Sequence, residues 1–443
     1  MKKRSFFSVV TAQGYFFKRY ALIFALIFAG RMLFAQEILL QEGEEEVQTG
    51  MFIFPFAFQS DTIGTAVGVS IAGRGWPQET ALTYISLVQS FEDTTYLYLR
   101  SKDLEIPYTE RFFADIDLAL GRYNQINTYV NGNSRYSNET AGNNDSSQEN
   151  YIEGDGYDNK IKFELQYVTP WGHGRENTKS KVWLRDGIVV KGGREPTFWN
   201  PAKSGTTSFL FSPFYRKQNV ESQELGDDER TAAGVEFAIR YDNTDFSENP
   251  TYGSMQQLRL TRDQGWFDST AEWTTWDFEW AKYFDLGSGG GARQRVIALD
   301  FWVTDTLTWN DSVNEGSDLH RPPSYAGATL GGTERMRGFP QNRFYDRSAI
   351  YYTVEYRHTL DWNPLTGNSV LRFLKIKVDW IQLVGFAEVG RVAPTFDVDE
   401  LHSDMKSDAG VSLRFFANNL IMRMDLAASD EDTIFNMMVS HPF

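Results

Sequence analysis

Residues 160–168 alternate strictly. Ile161, Phe163, Leu165 and Tyr167 point one way while Lys162, Glu164 and Gln166 point the other, as the two-residue period of a strand requires. The same split returns along the chain. Val235, Phe237, Ile239 and Tyr241 oppose Glu236 and Arg240; Tyr352, Val354 and Tyr356 oppose Glu355 and Arg357; Leu420, Met422, Met424 and Leu426 oppose Arg423 and Asp425. No coiled-coil heptad and no long helix-period stretch interrupts the pattern. The apolar faces gather Tyr, Trp and Phe, as in the run AEWTTWDFEWAKYF at 271–284, which suits aromatic girdles at two bilayer interfaces. The segments run to about ten residues, the length of a tilted membrane strand rather than a globular one. Seventeen segments qualify, and a single-chain bacterial barrel needs an even number. Segment 50–58 is the one to drop, because Pro55 in its middle cannot donate to a ladder. The expected fold is therefore all-β: a transmembrane antiparallel β-barrel of sixteen strands, the first at 63–72 and the last at 433–442, with 181–191 among them. Connections are expected to alternate between short turns such as Asn418-Asn419 or Ser429–Asp432 and long polar excursions such as Tyr123–Tyr157.

Composition narrows the class. Mean hydropathy is only −0.42 although aromatic residues make up 15%, too polar for a bundle of apolar membrane helices. The net charge of −16 is the wrong sign for neutralising a nucleic acid backbone. There is no Cys, so disulfides, thiolate metal sites and a cysteine nucleophile are excluded. Lys2, Lys3, Arg4, Lys18 and Arg19 precede the apolar run Ala21–Ala29, and Leu33-Phe34-Ala35-Gln36 follows shortly, the order of a secretory signal with cleavage after Ala35. Residues 1–35 are read as a cleaved signal peptide, 36–49 as an acidic linker and 50–443 as the barrel. Cleavage would remove six basic residues and no acid, taking the charge from −16 to −22.

Four segments in fixed order carry a more specific signal. Residues 241–253 read YDNTDFSENPTYG, residues 330–347 read LGGTERMRGFPQNRFYDR, residues 384–391 read VGFAEVGR, and residues 409–426 read AGVSLRFFANNLIMRMDL. Together with PFAFQSDTIGTAVGVS near the N-terminus they resemble the BamA/TamA family, also called the bacterial surface antigen family. The resemblance implies that a loop at about 327–348 folds into the barrel lumen, where Arg337 of the Arg337-Gly338-Phe339 motif meets an inward acid at Glu388, a position where the family usually has Asp. A loop this long is also unusual on physical grounds unless packed or functional. A guanidinium in a narrow lumen also needs a fixed carboxylate. The closing aromatic Phe443, on one face with Phe435, Met437 and Val439, looks like the C-terminal recognition signal of outer-membrane barrels.

The resemblance implies a barrel of the cell outer membrane that assists insertion or translocation of proteins or lipids. Relatives with that activity carry periplasmic POTRA repeats, for which the short stretch before the first strand leaves no room. A separate periplasmic client-binding partner is therefore expected, with outer-membrane lipid around a monomeric barrel. The alternative is a passive pore or structural surface antigen with a loop-plugged lumen. No nucleophile elbow, phosphate loop or zinc-binding helix occurs, and the five His lack ligand spacing. Neither enzyme activity nor a cofactor or metal is expected.

Overall fold

The computed structural model describes residues 45–46, 50–60, 64–129, 132–179, 182–192, 199–224, 226–310, 320–374, 376–418 and 420–443. Chain contacts divide the protein into Met1–Gly43 and Glu44–Phe443, and every described residue belongs to the second unit. The segment read as a signal peptide lies outside the described residues.

One sixteen-stranded antiparallel sheet holds nearly all of the chain. Its strands are β1 (Gly50–Ser60), β2 (Gly64–Arg74), β3 (Leu82–Ser90), β4 (Thr95–Glu105), β5 (Phe112–Thr128), β6 (Ile152–Val168), β7 (Thr206–Ser222), β8 (Gly226–Asp242), β9 (Gly253–Gln264), β10 (Glu272–Asp285), β11 (Ala292–Thr306), β12 (Ser348–Leu360), β13 (Val378–Ala393), β14 (Lys406–Ala417), β15 (Leu420–Ala428) and β16 (Thr433–Val439). Each pairs with its neighbour in sequence, and the sheet curls into a barrel. The expected number is present, with different members. Segment 50–58, set aside for Pro55, is part of β1, an edge strand where a missing donor is tolerated. Segment 181–191 is outside the barrel. It forms a hairpin of Val182–Arg185 with Ile188–Gly192, and Glu45–Glu46 from the acidic linker adds to it as a third strand.

Side-chain alternation fixes which face looks where. Ile161, Phe211, Phe237, Leu258, Leu260, Val354, Leu383 and Val411 are exposed on the outer wall. Asp277, Asp300, Glu355, Arg357, Glu388, Arg414 and Asp425 are buried on the inner one. A soluble sandwich has the opposite arrangement, and an apolar exterior around a charged interior is what lipid requires. No helix among the described residues is long and apolar enough to cross a membrane.

The connections alternate between two ends of the barrel. Asn418 and the Ser429–Asp432 turn, both short, lie at opposite ends, so turn length does not sort cleanly by end. The end opposite the start of β1 carries the long connections 129–151, 307–347 and 394–405. At the end where β1 begins, the connection 169–205 between β6 and β7 is itself long and includes the hairpin.

The barrel closes without a ladder. β1 and β16 lie side by side, yet no backbone pairing joins them among the described residues. Register places Phe52, Phe54 and Phe56 on the same face as Ser70, Tyr84 and Arg100, the lumen side of β2–β4. Leu420 and Met422 of β15 and Val439 of β16 occupy the outer face of their strands, opposite to Arg423 and Asp425. These six form one apolar cluster with Ala72 and Ile376. Near its start, β1 therefore overlaps β15–β16 from outside, and side-chain packing takes the place of hydrogen bonds. Gly68, which the sequence placed on the first strand, is on β2; a β-carbon there would run into the Phe56 ring of β1.

Candidate functional site: a loop clamped inside the lumen

The connection 307–347 leaves β11 and returns to β12. Ala328–Leu330 pairs with Phe344–Asp346 to form a short stem. The tip between them turns on Gly331 and Gly332, at φ +105° and +116°, a region that L side chains avoid. A β-carbon at Gly331 would also strike the Pro340 carbonyl. Hydrogen bonds from Gly332 N–H to Phe339 O (3.1 Å) and from Asn342 N–H to Gly331 O (3.3 Å) fold the tip on itself. Leu330, Met336, Phe339 and Phe344 then bury against Trp302, Tyr351 and Val392 of the inner wall.

That packing delivers Arg337 to a cage of acids. Its backbone N–H donates to Glu388 Oε2 at 2.6 Å and its Nε to Glu388 Oε1 at 2.9 Å. Nη1 lies 3.1 Å from Glu355 Oε1 and 3.5 Å from Asp425 Oδ2. The guanidinium sits 3.5 Å above the Phe386 ring centre. Arg337, Glu355 and Asp425 have no exposed surface. Tyr351 Oη donates to Glu388 Oε1 at 2.6 Å, which orients that carboxylate. Gly338 follows at the point of closest approach, where a β-carbon would stand 2.6 Å from Asp408 Cβ and 3.1 Å from the Ala428 carbonyl carbon. Its carbonyl accepts from Ser429 Oγ at 2.8 Å. Phe339 meets Phe344 edge-on at 5.1 Å.

The acids are held in turn. Glu355 accepts from Arg357 Nε at 2.9 Å and Arg414 Nη2 at 2.7 Å. Asp425 stands 3.2 Å from Arg423 Nε. Asp408 stands beside Glu388 across the β13–β14 ladder, and the four arginines Arg337, Arg357, Arg414 and Arg423 are distributed over the three carboxylates Glu355, Glu388 and Asp425. Burial of ions on this scale demands such pairing. The sequence motif pointed to Arg337 and Glu388. It missed Glu355, Arg357, Arg414, Arg423 and Asp425, whose signal was present as charges on the inner-facing positions of β12, β14 and β15. What the arrangement does is hold, and no group of three or more His or acids among the described residues is placed to bind a metal ion. It fixes the loop to β12–β15, the wall that leads to the seam.

A second clamp works at the barrel end. Arg343, fully buried, donates through Nε and Nη2 to Glu431 at 2.6 and 2.8 Å and through Nη2 to Ser146 O at 2.6 Å. It ties the loop to the turn between β15 and β16 and to connection 129–151.

Phe443 is not on the outer face. The ladder stops at Val439, Ser440 turns at φ +91°, and Pro442 has no N–H with which to continue a strand. The tail enters the lumen, where Phe443 stacks on Tyr283 at 6.3 Å beneath the Arg357 guanidinium. His441 joins Arg414 and Asn249 at 2.7 and 3.2 Å.

Among solved structures, the chain is similar to BamA from Haemophilus ducreyi lacking POTRA domains 1–3, at 12% identity and a TM-score of 0.46, over 90% of this chain and 70% of that one. It is also similar to CdiB from Escherichia coli (11%, 0.49, 91% of this chain) and CdiB from Acinetobacter baumannii (11%, 0.46, 90%). It spans 62% and 60% of those two chains, respectively. None of the curated proteins compared matches. The family model for the Omp85 superfamily domain matches residues 100–443, which takes in β5–β16, the clamped loop and the tail; the chain belongs to the Omp85 superfamily.

Proposed function

We propose that this protein is an outer-membrane barrel that assists insertion or translocation of proteins, or of lipids, through the seam between β1 and β16, with a separate periplasmic partner that binds the client. Residues 1–35 are its cleaved export signal and 36–49 a linker to the barrel at 50–443. The end at which β1 begins faces the periplasm. The observation that supports this reading is the seam. Every other strand pair is joined by a ladder, whereas here Phe52 and Phe54 meet Leu420, Met422 and Val439 through side chains alone. Separating apolar side chains within a bilayer exposes no unsatisfied backbone donor that was previously paired, so this junction opens at lower cost than any other. The loop clamped on β12–β15 keeps that wall rigid while the seam moves.

The chain has no native Cys, which makes the test direct. Phe54→Cys with Val439→Cys, joined by a reducible bifunctional maleimide, should abolish client insertion into vesicles and recover it on reduction. Insertion that proceeds at the unlinked rate in the sealed barrel would favour a passive pore or structural surface protein with a filled lumen.

A further inference from the structure

The end at which β1 begins is crossed by the hairpin Val182–Gly192. It is rooted between β6 and β7 and makes its buried contacts on the inner faces of β13–β15, about half-way round a ring of sixteen strands. Val182 and Leu184 are buried there with Trp380, Phe416 and Ile421, together with Phe246 from the β8–β9 connection, while Ile188 and Val189 pack against the same cluster. Trp380 and Phe416 lie parallel with ring centres 5.3 Å apart. The hairpin turn rests on them. Trp380 Nε1 donates to Gly187 O at 3.0 Å. Gly187 has φ +71°, and a β-carbon there would stand 2.6 Å from Phe416 Cδ1 and 2.7 Å from Trp380 Cδ1. No side chain fits between turn and seat.

Deeper in the lumen, Arg100 and Lys160, on the inner faces of β4 and β6, keep 44 and 39% of their side chains accessible. The hairpin lies across the mouth on their side of the barrel. A two-stranded hairpin is marginal by itself, so it holds this place through the seat and through its third strand. Glu45 and Glu46 pair with Leu184 and Trp183. The segment that leads into β1, the overlapping strand of the seam, is therefore held by the hairpin.

We propose that the hairpin 182–192 is a displaceable plug, seated on Trp380 and Phe416, whose release both opens this mouth and frees the segment before β1. The inference is independent of what passes through the barrel. Its test uses the full chain in vesicles, with the heat-dependent shift in gel mobility as the check of a folded barrel. In the variant Gly187→Val the turn cannot seat. A single thiol at Lys160→Cys should then react with a sulfonated maleimide about ten-fold faster than in the unsubstituted plug, and a nitroxide at Glu45→Cys should become more mobile. Trp380→Ala removes the seat, leaves the hairpin unstrained, and should give the same two changes. Folded barrels of either variant with unchanged labelling rate and unchanged nitroxide mobility would overturn the plug.

Discussion

At the residue scale, Arg337 matters because one guanidinium answers several acids from three strands. Glu388 on β13, Glu355 on β12 and Asp425 on β15 all lie within 3.5 Å of it. Removing one partner of a buried ion network leaves uncompensated charge, which costs about 3–5 kcal/mol. Arg337→Ala should lower the temperature at which the barrel loses its compact gel mobility and make the loop a protease target. Arg337→Lys should recover part of the loss, since an ammonium keeps the charge and forfeits the fork. Exchanging Arg337 and Glu388 should not restore the native level, because the new carboxylate would face Glu355 and Asp425. Full restoration by the exchange would mean that Glu388 alone matters. The motif Arg337-Gly338-Phe339 made one contact legible; the other acids were invisible as partners because only the folding of the loop into the lumen brings Arg337 to them.

At the element scale, the sheet's first and last strands behave unlike the rest. β16 ends early, its tail turns into the lumen, and β1 overlaps the outside. Docking of the tail should depend on pH. Arg414 can only donate, so His441 Nδ1 accepts from it and Nε2 donates to Asn249, which requires a neutral imidazole. Burial first, then Arg357 and Arg414, hold its pKa well below the ordinary value, against a smaller opposing pull from Glu355. A released tail would titrate near the usual value of about 6.5. The released state therefore binds more protons in the window below that value, and docking of the tail weakens as pH falls through it. A nitroxide at Ser440→Cys should be immobile at neutral pH and gain mobility on acidification, and His441→Gln should flatten the response. A tail equally immobile across the window in the parent chain would contradict this. Alternation alone suggested that Phe443 continues the outer face; Ser440 and Pro442 end the ladder before it can.

At the scale of the whole molecule, an apolar exterior surrounds a lumen filled from one side by the clamped loop and from the other by the hairpin and tail. The outer wall sets the requirement for lipid. Leu260→Arg on that wall should reduce insertion of the barrel by about 2–4 kcal/mol if the position lies near the bilayer midplane, a cost that Thr261→Arg, on the lumen side, should not share. Equal yields of folded barrel from the two variants in a vesicle-folding assay would contradict the assignment of faces. Local alternation is enough to establish the class and the two faces of the strands it marks, because a two-residue period is visible within any nine-residue stretch; the count of sixteen was reached with 181–191 standing in for 50–58. The sequence also marked the loop motif and the acid opposite it. Which segments make up the sixteen was decided by tertiary structure: Pro55 is acceptable in β1 only because that strand lies at an edge, and 182–192 leaves the wall because its apolar residues find Trp380 and Phe416 across the mouth. The overlapping seam and the inward tail depend on closure of the barrel, which brings Phe52 to Val439 and Phe443 to Tyr283, and the four-arginine network depends on the loop folding back into the lumen; no local pattern encodes either.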